Sequence, residues 1–183
     1  IFIHIPKTAG TSLIKSIYRE VSSEGHRNML FYKTIFTSEL ANYFKFCFVR
    51  NPYDRLYSSY KFLQKGGMHK DDAIAFKMYL KEYKDFEDFV LHGLSEQLLK
   101  EIIHFIPQTD FICNKEGKIL VDFVGKFENL EEDVLTLGKK IDLQIILPHL
   151  NSNKKESYLS IYTDEMKRKV RKIYKNDFEK LAY

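Results

Sequence analysis

Apolar positions along this chain alternate between two rhythms. Residues Ile1-Phe2-Ile3-His4-Ile5 form a short, largely β-branched run, the pattern of a strand buried on both faces. From Ser12 onward, Leu13, Ile14, Ile17 and Val21 recur at helical spacing. Phe44 to Val49 repeats the theme, an aromatic-rich strand leading through Arg50-Asn51-Pro52 into a helix. Asp71 to Tyr83 and Asp85 to His92 have helical periodicity, punctuated by Gly66-Gly67 and Gly93, and Ser95 is placed to cap a third helix running to about Phe105. A β-hairpin is expected next, with Phe111-Ile112-Cys113 and Ile119-Leu120-Val121 flanking the turn Asn114-Lys115-Glu116-Gly117. Phe123 to Phe127 then returns to the sheet, Glu131 to Lys140 forms a helix, and Asp142 to Ser160 is a long connection containing Pro148. The last helix begins near Thr163 and sets Met166, Val170, Ile173, Tyr174 and Phe178 on one face. With no internal repeat and no low-complexity linker, the pattern predicts one α/β domain over residues 1–183, a short, mainly parallel sheet flanked by helices.

The turn between the first strand and the first helix carries the most chemistry. Small residues Ala9 and Gly10 allow backbone N–H groups to approach an anion, the helix N-terminus adds partial positive charge, Thr11 and Ser12 offer hydroxyls, and Lys7 supplies a formal charge. The lysine precedes the glycine, unlike the G-x-x-x-x-G-K-[ST] order of nucleotide triphosphatases. At the second strand end, Arg50 is placed to hold a phosphate bidentately, and Ser58, eight residues on, lies on the next helix.

Pro6-Lys7-Thr8-Ala9-Gly10-Thr11-Ser12 resembles the 5′-phosphosulfate loop of the sulfotransferases, P-K-[TS]-[AG]-[GS]-[TS]-[ST], which grips 3′-phosphoadenosine 5′-phosphosulfate (PAPS). Arg50 and Ser58 have the spacing of the pair that binds the donor's 3′-phosphate in that family. Softer likenesses to bacterial and to carbohydrate 2-O- and chondroitin-type sulfotransferases lie at Pro107-Gln108, Val121 to Leu130 and Tyr162 to Tyr183, so the resemblance spans nearly the whole chain. It implies a three-layer, P-loop-like fold, with Lys7, Thr8, Ala9, Gly10, Thr11, Ser12, Arg50 and Ser58 as donor-binding residues. It also implies PAPS as donor, no metal, and a hydroxyl acceptor, with a carbohydrate expected. Lys7 would stabilise the leaving oxygen. Some carbohydrate enzymes of the family use a histidine a little over twenty residues before the 3′-phosphate arginine as base, and His26 lies 24 residues before Arg50. Glu20, His69, His104 and His149 are the other candidates for the base, and His4 is expected to orient the loop from the strand.

Composition changes this picture little. The chain is 44% hydrophobic and 15% aromatic, enough for a sizeable core. Cys47 and Cys113 are too few for a disulfide framework, and Cys47 reads as a buried strand residue. No stretch has the length of a membrane span and no His/Cys/Asp cluster has ligand spacing. A cytoplasmic enzyme is expected for a bacterial source, and a membrane-anchored luminal catalytic domain if a segment precedes Ile1. The net charge of +4 is uneven: residues 151–183 carry nine basic side chains against five acidic, and the rest balances. Most of that excess sits on the last helix, as a solvated outer face or a surface for an anionic partner. The exposed face has no interleaved aromatics, which argues against nucleic acid.

Two rival functions remain at this level. A nucleotide-dependent kinase is disfavoured because Lys7 precedes the glycine, no strand ends in an evident magnesium-binding Asp, and Arg50 and Ser58 would lack a purpose. A non-catalytic binder of anionic glycan or nucleotide would be favoured by a missing base.

Overall fold

The computed structural model describes residues 1–19, 25–147 and 158–183. Its elements run β1 (Phe2–Ile3), α1 (Gly10–Tyr18), α2 (Met29–Phe36), β2 (Phe46–Val49), α3 (Pro52–Gln64), α4 (Lys70–Tyr79), α5 (Phe86–Asp88), α6 (Glu96–Glu101), α7 (Thr109–Ile112), β3 (Phe123–Lys126), α8 (Leu130–Ile141), α9 (Asp164–Ile173) and α10 (Lys175–Lys180). They group into two compact units, one of Ile1–Arg50 with Gln108–Asn153 and one of Asn51–Pro107 with Lys154–Tyr183.

The first unit holds a three-stranded parallel sheet in the order β1-β2-β3, with Phe2 opposite Phe46 and Phe46 opposite Phe123. Phe2, Phe46 and Phe48 share a core with Leu13 and Ile14 of α1 and with Leu130, Val134 and Leu137, the i, i+4, i+7 stripe of α8. Ile3, Cys47 and Val49 alternate with those phenylalanines and are also fully buried, so both sheet faces are covered. Gly125 is required on β3, because a Cβ there would run into the Phe48 ring. The register of β3 is fixed at its start: Asp122 N–H donates to Lys45 O at 2.7 Å, and Asp122 Oδ2 accepts from Lys45 N–H at 2.7 Å and pairs with Lys45 Nζ at 2.8 Å. Parallel strands open their carboxyl ends on the same edge, where α/β sheets bind ligands.

The second unit is helical. Leu56, Tyr60 and Leu63 of α3 pack with Phe86, Phe89, Leu94, Phe105 and the α9–α10 residues Met166, Val170, Tyr174 and Phe178. Phe89 stacks between Tyr60 and Phe105, at 5.4 Å from each. The buried Tyr174 hydroxyl is satisfied by donating to Phe105 O at 2.7 Å, and burial raises its pKa. Thr163 caps α9 by accepting from Met166 N–H at 3.3 Å.

Some expected elements differ. Phe111 and Ile112 lie in α7, and of the hairpin there remains an antiparallel bridge between Cys113 and Ile119 around the Asn114–Gly117 turn. Burying Thr109, Phe111 and Ile112 in one helical turn, closed by Cys113 N–H donating to Thr109 O at 2.8 Å, overrides their strand propensity. The helix expected over Asp85 to His92 begins as α5 and continues as a π turn, Phe89–Gly93, where Leu94 N–H reaches Phe89 O at 2.8 Å. The Ser95-capped helix stops at Glu101, since Ile102 turns extended and is buried with Phe105. Glu20, Val21, Pro148 and His149 lie outside the described residues.

Candidate active site

The loop between β1 and α1 is built on an unusual backbone. Lys7 and Ala9 both take left-handed conformations, with φ 67° and 68°. A non-glycine residue pays roughly 1–2 kcal/mol for that, a strain typical of ligand clamps. Thr8 between them is fully buried, and its hydroxyl donates to Ile5 O at 2.9 Å. Thr8 thus holds the loop closed from inside, and its backbone rather than its hydroxyl is left for a ligand. The alternating sign of φ along residues 7–9 is the kind of backbone that turns successive N–H groups to one concave side. Helix α1 starts at Gly10 with no side-chain cap and no acidic residue in its first turn, and its first intrahelical bond is Leu13 N–H to Ala9 O at 3.1 Å. The amides of Gly10, Thr11 and Ser12 therefore precede the helical ladder, with the positive end of the dipole behind them. Thr11 is exposed, and Lys7 and Ser12 are half-buried.

His4 explains Gly10. Its ring lies against the glycine Cα so closely that any Cβ at position 10 would overlap it. The other sides of the ring meet Phe2, with centroids 5.7 Å apart, and His26, at 4.2 Å. Burial, and secondarily the neighbouring His26, push the His4 pKa down to about 3, so the His4 ring is neutral at physiological pH. His26 is held by its Nδ1, 2.8 Å from His4 O. A carbonyl only accepts, so Nδ1 carries the hydrogen, and in the neutral ring the lone pair lies on Nε2.

Arg50 leaves the carboxyl end of β2 and is fixed on three sides. Its N–H donates to Gln108 Oε1 at 2.8 Å, and its carbonyl accepts from Gln108 Nε2 at 2.8 Å. Nη1 donates to Lys7 O at 3.2 Å, and the guanidinium lies 4.1 Å over the Phe127 ring. Lys7 follows β1, Arg50 follows β2 and Phe127 follows β3, so the three strand exits meet around one guanidinium. The fully buried Gln108 takes up both backbone groups of Arg50, as a neighbouring strand would within the sheet.

The first unit thus joins Lys7, its loop, His26 and Arg50. Ser58 is a half-buried residue of α3 in the second unit. That unit also holds the other described candidates for the base. His69 precedes α4, its N–H donating to Asp72 Oδ2 at 3.1 Å. His104 is buried, with Nδ1 3.7 Å from Asp72 Oδ1 and its ring on Phe62. Gln108 and Phe127 are positioning residues to which the sequence assigned no role. Among the described residues, no group of three or more His, Cys, Asp or Glu side chains could hold a metal ion, and no helix is long and apolar enough to cross a membrane.

A protein of Archaeoglobus fulgidus named "Uncharacterized protein" is 31% identical over 101 residues, covering 55% of this chain and 69% of its own. No solved structure matches. The family model described as "Sulfotransferase family" matches residues 1–183, the whole chain. With a strand–loop–helix turn at its start and a buttressed arginine at the next strand exit, the chain belongs to the sulfotransferase family.

Proposed function

We propose that residues 1–183 act as one sulfotransferase domain that moves a sulfuryl group from PAPS to a hydroxyl of a carbohydrate. The observation that supports this reading best is the meeting of the Lys7 loop and Arg50 at the carboxyl edge of the sheet, two cationic groups bound to one backbone scaffold. On this reading the Gly10, Thr11 and Ser12 amides, the Thr11 and Ser12 hydroxyls and Lys7 take the 5′-phosphosulfate, and Arg50 with Ser58 takes the 3′-phosphate. The acceptor oxygen attacks sulfur, the bond from sulfur to the 5′-phosphate oxygen breaks, and its electrons leave with the 3′,5′-bisphosphate. Negative charge grows on that oxygen, where Lys7 and the loop amides meet it. The acceptor's proton passes to Nε2 of His26, the nitrogen that its bond to His4 O leaves basic. The transfer so written needs no metal.

The test is sulfate uptake from labelled PAPS by a panel of glycans, phenols and simple alcohols. Labelled glycan is the expected product. A phenolic or alcoholic acceptor would correct the acceptor class, and labelled phosphate transfer from ATP would support a kinase instead.

A further inference from the structure

The second unit carries a charged feature that the transfer reaction does not use. On α9 and the start of α10, Arg168, Arg171, Lys172 and Lys175 are all exposed, at positions i, i+3, i+4 and i+7. They form one stripe opposite Met166, Val170 and Tyr174, which are buried in the core. Two other basic residues of α9 are paired within the unit. Lys169 donates to Leu91 O at 2.8 Å, and Lys167 pairs with Asp164 at 3.5 Å. Within the stripe, Arg171 covers the buried Phe178 ring at 4.7 Å, and Lys175 approaches Glu179 at 3.8 Å at the surface. Among the described residues, neither Arg168 nor Lys172 is in an ion pair.

We propose that Arg168, Arg171, Lys172 and Lys175 form a docking stripe for an extended sulfated polysaccharide, separate from the sulfuryl-transfer chemistry; the choice of polysaccharide rests on the carbohydrate reading above. Arg168, Arg171 and Lys172 span about 6 Å of α9, at ~1.5 Å per residue, and Lys175 continues the row at the first residue of α10; such a row matches a polymer that repeats its charge along an extended chain. Two of the four are arginines, whose planar forks fit the oxygens of a sulfate ester. The stripe has no exposed aromatic on which bases would stack, and no exposed apolar residue to insert among lipids.

The test compares binding of end-labelled heparin across a salt series by three folded proteins. These are the wild type, the stripe variant R168Q/R171Q/K172Q/K175Q, and a control of equal charge, K115Q/K118Q/K139Q/K140Q, altered at exposed lysines of the first unit. The stripe variant is expected to lose at least tenfold in affinity and to flatten the salt dependence, while the control changes less than threefold. Because R171Q removes a ring contact, the milder R168Q/K172Q serves if the full variant melts early, with a loss of at least threefold expected. Equal losses in stripe and control variants would overturn the proposal, as would tighter binding to duplex DNA or phosphatidylserine vesicles than to heparin at the same salt. Affinity for 3′-phosphoadenosine 5′-phosphate, measured on the same samples, reports on the donor reading independently and is expected to be unchanged in every variant.

Discussion

The side-chain amide of Gln108 pairs with both backbone groups of Arg50, accepting from its N–H and donating to its carbonyl, each at 2.8 Å. A residue 58 positions away thereby fixes the backbone from which the Arg50 guanidinium projects toward Lys7 O. A buried amide thus supplies, one residue past the end of β2, the backbone pairing that a neighbouring strand supplies within the sheet.

Replacing Gln108 with Leu keeps the volume and removes both bonds. Two backbone polar groups are then left unmatched, each costing about 1–3 kcal/mol. We expect a clear fall in Tm by calorimetry and weaker binding of 3′-phosphoadenosine 5′-phosphate in the folded fraction. Unchanged nucleotide affinity would show that Arg50 does not need the clamp.

Gly10→Ala places a methyl group in the His4 ring, an overpacking change that typically costs 1–3 kcal/mol. Gly10→Ala/His4→Ala relieves the overlap, so the double variant should be more stable than the sum of the single effects predicts. A double-mutant cycle from denaturant melts measures the coupling, and strict additivity would contradict the contact.

His4 also predicts a pH dependence. Its folded pKa is lowered to about 3 by burial, whereas the unfolded value is near 6.5. Between those values the unfolded chain binds more protons, so this group's stabilisation is full above about pH 6.5 and is lost as pH falls toward 3. In melts from pH 7.5 to 5, His4→Gln should show a shallower decline than the wild type. Parallel curves would mean that His4 does not carry the effect.

Much of this was legible in the chain itself. The strand–loop–helix reading of residues 1–18 and the parallel return of Phe123 to Lys126 follow from apolar runs that the structure buries. Position 10 reads as a glycine for close approach, but sequence spacing cannot tell that the near neighbour is His4 rather than an anion. Pro107-Gln108 read as a family likeness, but the role of Gln108 was not legible because it depends on a contact 58 residues distant, and Phe111-Ile112 read as strand because their burial in one helical turn is a tertiary effect.

His26 provides a spectroscopic prediction. Its bond to His4 O requires the neutral ring to be protonated on Nδ1, the less common tautomer, which ring 15N shifts above its pKa will report. If Nε2 is the base, activity rises with pH through the His26 pKa, and His26→Ala loses the rate and that rising limb while donor affinity barely changes. An Nε2–H tautomer, or full activity in His26→Ala, would move the base elsewhere.

Calorimetry with two nucleotides tests most directly the proposed reading of the donor's 3′-phosphate by Arg50. A charge-assisted contact contributes about 1.5–3 kcal/mol, so 3′-phosphoadenosine 5′-phosphate should bind wild type at least about tenfold more tightly than AMP. Arg50→Ala should erase the difference between the two nucleotides. Equal affinity of the wild type for the two nucleotides would contradict the account.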